Sequence, residues 1–110
     1  MMRMALSAAG TGLLRALLRR ARRDTDRILL TAWRSVDWHS LTFVGERHEI
    51  EMRILPPHAE AAAEALARGL ADADFVVPGQ IVADIHLVGA VRPQTDGSVA
   101  LSIEALTISE

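Results

Sequence analysis

Residues 56–75 read PPHAEAAAEALARGLADADF, and this stretch decides the fold class of the chain. Proline is tolerated in the first turn of a helix, and the alanine, leucine, glutamate and arginine that follow are strong helix formers. Apolar side chains recur every three or four residues, which predicts a helix over 57–73 with one buried stripe; they are Ala59, Ala62, Ala63, Leu66, Leu70 and Ala73. Because alternating patterns flank this helix over 36–55 and 80–108, we expect it to cover a sheet made of two hairpins.

The order of the predicted elements, α-β-β-α-β-β, indicates an α+β domain with a four-stranded, mainly antiparallel sheet. A crossover through the central helix that leaves one strand between strands 2 and 3 makes every neighbouring pair antiparallel. This is the split βαβ arrangement of ferredoxin-like sheets. We expect a flexible N-terminus over 1–11 and a single domain over 12–110.

A helical period of apolar residues runs over 12–34 and predicts a long N-terminal helix, or two shorter helices that meet near Asp24 and Thr25. Residues 1–23 contain six arginines and no acidic residue. A basic amphipathic helix can bind nucleic acid or an anionic lipid surface, and the candidate contacts are Arg15, Arg19, Arg20, Arg22 and Arg23. The alternative is that these arginines form the solvated side of a helix that packs on the domain.

In the first hairpin, Gly45 and Glu46 fit the tip of a two-residue turn, with glycine first as a type II′ turn prefers. This register places Phe43 opposite His48 and His39 opposite Met52 on one face, with Leu41 between them, and we expect this face to be mostly core. Trp38 then lies opposite Arg53 on the outer face, where the two side chains can form a cation–π pair.

The sequence pattern of the second hairpin predicts apolar residues on both of its faces. Its buried face contains Ile81, Ala83, Ile85, Leu87 and Val91, with Leu87 opposite Ile103 and Val91 opposite Val99. On the other face, the same register places His86 opposite Glu104. The outward residues are Val82, Val88, Ala90, Leu106 and Ile108, unless a bulge near Ala105 changes the phase. Because an exposed apolar patch needs a cover, we interpret these five residues as a candidate interface, covered by the N-terminal helix or by a second copy of the protein.

Asp84, His86 and Glu104 are the candidates for a chemical site. The predicted register brings His86 beside both carboxylates, and a carboxylate–imidazole pair can orient a general base or supply metal ligands. No serine or threonine nucleophile is expected beside this cluster, and His39 and His48 are expected to lie too far apart to share a metal. The sequence contains no phosphate-binding loop, dinucleotide fingerprint or HExxH motif, so we predict no cofactor and no metal.

The composition supports a folded protein that acts through protein contacts. Half of the 110 residues are apolar, which argues against disorder. The chain has no cysteine, which excludes disulfides and thiolate chemistry and fits a cytoplasmic location. No apolar run approaches the roughly 18 residues of a membrane span. We therefore predict a small non-enzymatic interaction module that forms a homodimer or binds another protein. The alternatives are the Arg-rich helix as an anion-binding element and a small-molecule site at Asp84, His86 and Glu104.

Overall fold

A computed structural model of the chain describes residues 6–21 and 26–110. Within them the protein is α+β, as predicted, with two helices and an antiparallel five-stranded sheet. The helices are α1 (Ala8–Ala21) and α2 (Ala59–Ala67), and a short 3-10 helix follows at Leu70–Asp72. The strands are β1 (Ile28–His39), β2 (Val44–Ile54), β3 (Gln80–Leu87), β4 (Arg92–Pro93) and β5 (Val99–Ser109).

The strand order in the sheet is β1-β2-β5-β3, and β4 pairs with β5 beyond the end of β3. Strand β5 therefore lies between β2 and β3, and every paired strand is antiparallel. The predicted crossover through the central helix, with one strand left between its ends, is confirmed. The closer comparison with ferredoxin-like sheets stays a prediction.

The central helix is shorter than the predicted 57–73 because glycine ends it. Arg68 is extended and Gly69 has a φ of 66°, a left-handed conformation that glycine adopts without a Cβ clash. The remainder of the stretch continues as the 3-10 helix. The apolar stripe is buried as predicted, and α2 packs against β2 and β5 through it.

The predicted N-terminal helix over 12–34 is wrong in its second half. Helix α1 already begins at Ala8, and Ile28–His39 is a strand. A β-bulge between Leu30 and Ala32 shifts the register there. Because the extra residue changes the side-chain phase, Ile28, Leu30 and Trp33 share one face of the strand, and a three-residue step from Leu30 to Trp33 interrupts the two-residue alternation. Residues 1–5 of the predicted flexible N-terminus, and the predicted helix junction at Asp24 and Thr25, lie outside the described residues.

The turn of the first hairpin also differs from the prediction. Leu41 and Thr42 form its tip, where the Ser40 amide donates to the Phe43 carbonyl oxygen at 2.9 Å. Gly45 lies inside β2 instead, and a Cβ atom at this position would lie 1.9 Å from the Thr107 carbonyl oxygen. Glycine is therefore required for the close approach of β2 to β5, and not for a turn.

This new turn changes every cross-strand pair of the first hairpin. His48 lies opposite Ser35 and not Phe43, and His39 lies opposite Val44 and not Met52. Trp38 lies opposite Gly45, so the predicted contact between Trp38 and Arg53 does not form.

The second hairpin is confirmed in its centre and differs at both ends. His86 pairs with Glu104 and Leu87 pairs with Ile103, as predicted. A bulge between Val82 and Asp84 reverses the directions in which the preceding side chains point. Val82 therefore packs against the core, while Ile81 and Ala83 are exposed. At the other end Pro93, and not Val91, pairs with Val99. A bulge near Ala105 was the condition that would change the phase of this hairpin, and the extra residue lies on the opposite strand, between Val82 and Asp84.

Both helices pack on the same face of the sheet, which we call the covered face. Leu13 and Leu17 of α1 join Leu66 of α2 in one core cluster. The residues that the sheet contributes to this cluster are Ile50, Met52, Ile54, Ile85, Val99, Leu101, Ile103 and Ala105. Helix α1 therefore does not cover the outer patch of the second hairpin. We call the opposite face of the sheet the open face, since within residues 6–21 and 26–110 neither helix packs on it.

Candidate functional site

The open face has an apolar end, built by two neighbouring rows of paired residues. In the first row Trp38 pairs with Gly45, Gly45 with Ile108, and Ile108 with Ile81. In the second row Val36 pairs with Arg47, and Arg47 with Leu106. The apolar end thus consists of Val36, Trp38, Ile81, Leu106 and Ile108. Val36 is 45% exposed and Ile81 is 52% exposed, whereas the other three are half-buried.

The other end of the open face is charged, and its side chains are paired with one another. Arg92 lies 3.3 Å from a Glu51 carboxylate oxygen, and Ser102 donates to the same carboxylate at 2.7 Å. Arg34 lies 3.5 Å from Glu49 on the neighbouring row. Because these ion pairs are mostly exposed, each contributes little to stability. They give the open face a polar border on one side of the apolar end.

Beyond this network, Asp96 organises the loop between β4 and β5. Its carboxylate accepts from the Ser98 hydroxyl at 2.6 Å and from the Ser98 amide at 2.9 Å. These hydrogen bonds, with a further contribution from nearby Arg53, lower the pKa of Asp96. Arg53 therefore binds this loop, and it does not contact Trp38.

Asp84, His86 and Glu104 come together on the open face. His86 Nδ1 lies 3.2 Å from an Asp84 carboxylate oxygen, and Nε2 lies 3.3 Å from a Glu104 carboxylate oxygen. The contact predicted from the register is therefore present. Each ring nitrogen faces a different carboxylate, and all three side chains are well exposed. The catalytic role stays a prediction. No group of three or more His, Cys, Asp or Glu side chains among the described residues is arranged to hold a metal ion.

The candidate interface residues of the second hairpin divide into three groups. Leu106 and Ile108 belong to the apolar end of the open face, while Val88 and Ala90 are exposed near the edge of the sheet. Val82 was predicted to point outward, and this is wrong because the bulge at Ala83 turns it toward the core. The role of the remaining four residues in an interface stays a prediction.

The arginines of α1 have different environments. Arg20 donates from Nε to the Leu66 carbonyl oxygen at 3.0 Å, and its Nη2 donates to the Arg68 carbonyl oxygen. It therefore caps the C-terminal end of α2, where carbonyl groups have no helical partner. Arg15 and Arg19 are exposed and line a cavity of about 510 Å³ with Gly12 and Val76. The other two candidates, Arg22 and Arg23, lie outside the described residues.

The predicted register placed His48 opposite Phe43, and the sequence did not indicate its hydrogen bonds. It is fully buried on the covered face, with Nδ1 2.7 Å from Ser35 Oγ and Nε2 2.9 Å from Thr107 Oγ1. Trp33 Nε1 can only donate, and it lies 3.4 Å from Nδ1. Nδ1 therefore accepts, and Nε2–H donates to Thr107. Burial lowers the pKa of His48, and the nearby Glu46 carboxylate partly opposes this shift.

The tip of the first hairpin exposes three further apolar side chains. Leu41 is fully exposed, and Phe43 and Val44 are 52% and 66% exposed. The prediction placed Phe43 and Leu41 in the core, because its register put the turn four residues later. Their exposure is the consequence of the turn at Leu41 and Thr42.

Comparisons with known proteins support the fold. No family model and no curated protein matches the chain. A solved chain from a structure described as "Virion of native gene transfer agent (GTA) particle" is similar, with 18% sequence identity and a TM-score of 0.51. The match covers 74% of this chain and 68% of that chain. At this identity the likeness shows the fold alone.

The two helices of the described residues are also too short and too polar to cross a membrane.

Proposed function

We propose that the chain is a non-enzymatic structural module that self-associates within a multi-subunit assembly, using the apolar end of the open face as a contact surface. The observation that carries the proposal is the difference between the two faces of the sheet. Both helices pack on one face, while Val36, Trp38, Ile81, Leu106 and Ile108 lie together on the other. The similar chain from a gene transfer agent particle supports an assembly role, because a virion is built from many subunits.

The chemistry of the apolar end suits a protein contact. Burial of apolar surface contributes roughly 25 cal/mol per Å², and adjacent apolar residues on a stable sheet need no reordering before they bind. Arg47 and Asp84 lie within the second row, where opposite charges can fix the orientation of a partner. Stable interfaces commonly combine an apolar centre with such a polar border.

Light scattering after size exclusion tests this function on the full chain. The wild-type protein is expected to be dimeric at micromolar concentration, and Leu106→Glu is expected to dissociate it by placing a charge at the centre of the contact. Ala65→Glu is the matched control, because Ala65 is exposed on α2 and lies on the opposite side of the sheet. A wild-type protein that stays monomeric at high micromolar concentration would remove the proposal. Equal dissociation by both variants would remove the open face as the contact.

Anion binding through Arg15 and Arg19 is a second candidate function. Arg15 and Arg19 line the same cavity beside α1. The helix that carries them is anchored in the core. A double Arg15→Gln, Arg19→Gln variant should then lose binding to vesicles containing anionic lipid or to single-stranded nucleic acid. The affinity should fall steeply with salt, since counterion release drives such binding. Wild-type binding that salt does not weaken would argue against it.

The cluster of Asp84, His86 and Glu104 supports the third alternative, a small-molecule site. Its support is the position of the His86 ring between two carboxylates. If His86→Ala leaves every detected ligand affinity and turnover unchanged, this alternative fails.

A further inference from the structure

Strand β1 forms a long edge of the sheet. It contains twelve residues, Ile28–His39, and in the described chain β2 is the strand paired with it. The sequence of β1, ILLTAWRSVDWH, contains no proline and no lysine. Natural proteins commonly use these residues to prevent edge strands from pairing with other chains. Edge β1 thus lacks two of the usual protections, although Arg34 and Asp37 are charged and a bulge lies near Thr31.

The opposite edge is built differently. A bulge between Val82 and Asp84 interrupts β3, Gly89 follows with a φ of 70°, and Pro93 lies in β4. Bulges, charges and proline all disfavour pairing at an edge. Because β1 is uninterrupted from Ala32 to His39, the geometry favours a contact between two β1 strands over one between β1 and β3.

The hydrogen bonds of the hairpin tell which backbone groups of β1 are available. The Ser40 amide bonds to Phe43, and the register continues without a break from His39↔Val44 to Ala32↔Glu51. In an antiparallel pair every second residue directs its amide and carbonyl groups to the partner strand. The groups of Val36 and of its neighbours two residues away thus face β2. The intervening residues, Trp33, Ser35, Asp37 and His39, direct theirs away from the sheet.

We propose that two copies of the chain pair through β1, antiparallel about a two-fold axis at Val36. This inference rests on the proposed self-association and names the geometry of one of its contacts. Val36 of each copy then lies opposite Val36 of the other. Arg34 lies opposite the second copy's Trp38 on the open face, where a guanidinium group can stack on an indole ring. Ser35 lies opposite the second copy's Asp37, so no two like charges face each other at this pair.

Neighbouring registers are less favourable for identifiable reasons. An axis at Arg34 places two guanidinium groups directly opposite each other, and an axis at Asp37 does the same with two carboxylates. Like charges in direct opposition destabilise a strand pair. An axis at Ser35 places Arg34 opposite Val36 and loses the stacking on Trp38. The axis at Val36 avoids both penalties and keeps Arg34 opposite the second copy's Trp38.

The paired edges would also join the two open faces. Val36 and Trp38 belong to the apolar end of each copy, and they lie beside the proposed axis. The two sheets thus form one continuous sheet, in which the apolar ends of both copies are adjacent. A dimer of this kind presents a larger apolar surface than either copy alone.

Disulfide cross-linking tests the register directly, because the chain contains no cysteine. Val36→Cys places two thiols opposite each other in a pair with Cα atoms about 4.5 Å apart, within the range that a disulfide spans. Arg34→Cys is the matched control, since its two Cα atoms would lie about 13 Å apart along the strands. In the full chain under mild oxidation, Val36→Cys should form covalent dimers at least about tenfold faster than Arg34→Cys.

A second pair of variants keeps the test valid if Val36→Cys fails to fold. A mixture of Ser35→Cys and Asp37→Cys chains should form the mixed covalent dimer faster than either chain forms its own. Equal cross-linking by all positions, or by none, overturns the register.

Light scattering separates the failure of this inference from the failure of the proposed function. A wild-type dimer without cross-linking at Val36 overturns the β1 pairing and leaves the open-face contact in place. If Val36→Cys cross-links rapidly and the Leu106→Glu variant stays dimeric, the β1 pairing is supported and the open-face contact is removed. A wild-type monomer overturns both.

Discussion

The two faces of this sheet differ in their apolar content and in how their polar groups are satisfied. On the covered face, buried His48 forms hydrogen bonds with Ser35 and with buried Thr107. On the open face, charged side chains pair in solvent at one end while Leu106 and Ile108 remain half-buried at the other. The comparison shows that the two helices complete one core, while within the described residues the apolar end of the open face has no helix over it.

Removal of a branched side chain from each face is the strongest way to measure this difference. Ile103 is 1% exposed on the covered face, so Ile103→Ala should lower the free energy of unfolding by about 2–5 kcal/mol through lost burial and a cavity. Leu106→Ala, on the open face of the same strand, should cost about 1 kcal/mol in the monomer. Urea unfolding at low protein concentration measures both. Equal losses would mean that the open face is not open in solution.

Because His48 is buried on the covered face, we predict that the free energy of unfolding depends on pH. Burial lowers the pKa of His48 below its ordinary value of 6.5, so the unfolded chain binds the proton more readily than the folded chain. The free energy of unfolding should therefore fall as pH drops below about 6.5, with a slope that approaches 1.4 kcal/mol per pH unit at most. Urea unfolding between pH 5 and about 8 measures the slope.

Two substitutions assign this slope to one residue. His48→Gln keeps a polar side chain at the site and should flatten the slope, at a cost in stability of about 1–3 kcal/mol for imperfect hydrogen bonds. His58→Gln changes an exposed histidine and should retain the slope of the wild-type protein. A slope that survives in His48→Gln would assign the dependence to another group.

The packing of the two helices on the covered face depends on a contact between them. Arg20 of α1 donates to the carbonyl oxygens of Leu66 and Arg68 at the end of α2. Arg20→Ala should lower the free energy of unfolding by about 1–2 kcal/mol, because it leaves these carbonyl groups without their charged donor. Arg19→Ala is the matched control, since Arg19 makes an exposed hydrogen bond to Val76 at 3.3 Å. Equal melting temperatures for the two variants would contradict the capping role.

The sequence predicts the parts of the fold that local patterns control. The stripe of α2 and the pairing of His86 with Glu104 follow from uninterrupted periods of about 3.6 and two residues. The charged cluster on the open face was found for this reason, since it needs only the central register of one hairpin.

Prediction from the sequence fails where the extra residue of a β-bulge changes the direction of the neighbouring side chains. The bulge near Thr31 interrupts the two-residue alternation of a strand, and the bulge near Ala83 exchanges the directions of Ile81 and Val82. Gly45 imitates a turn, although it serves the close approach of two strands. The hydrogen bonds of His48 depend on this register and on Thr107, which lies 59 positions away in the chain. Only the tertiary structure supplies that pairing.

The charged end of the open face should respond least of all to mutation. Glu104→Gln removes one carboxylate beside His86, but the Glu104 side chain is 38% exposed, and water and salt already screen such a pair. The free energy of unfolding should change by less than about 0.5 kcal/mol, and the change should vanish in roughly 1 M salt. Chemical unfolding in urea at two salt concentrations measures it. A loss above about 1 kcal/mol that persists in salt would mean that the pair is desolvated in solution, as a contact over this end of the open face would make it.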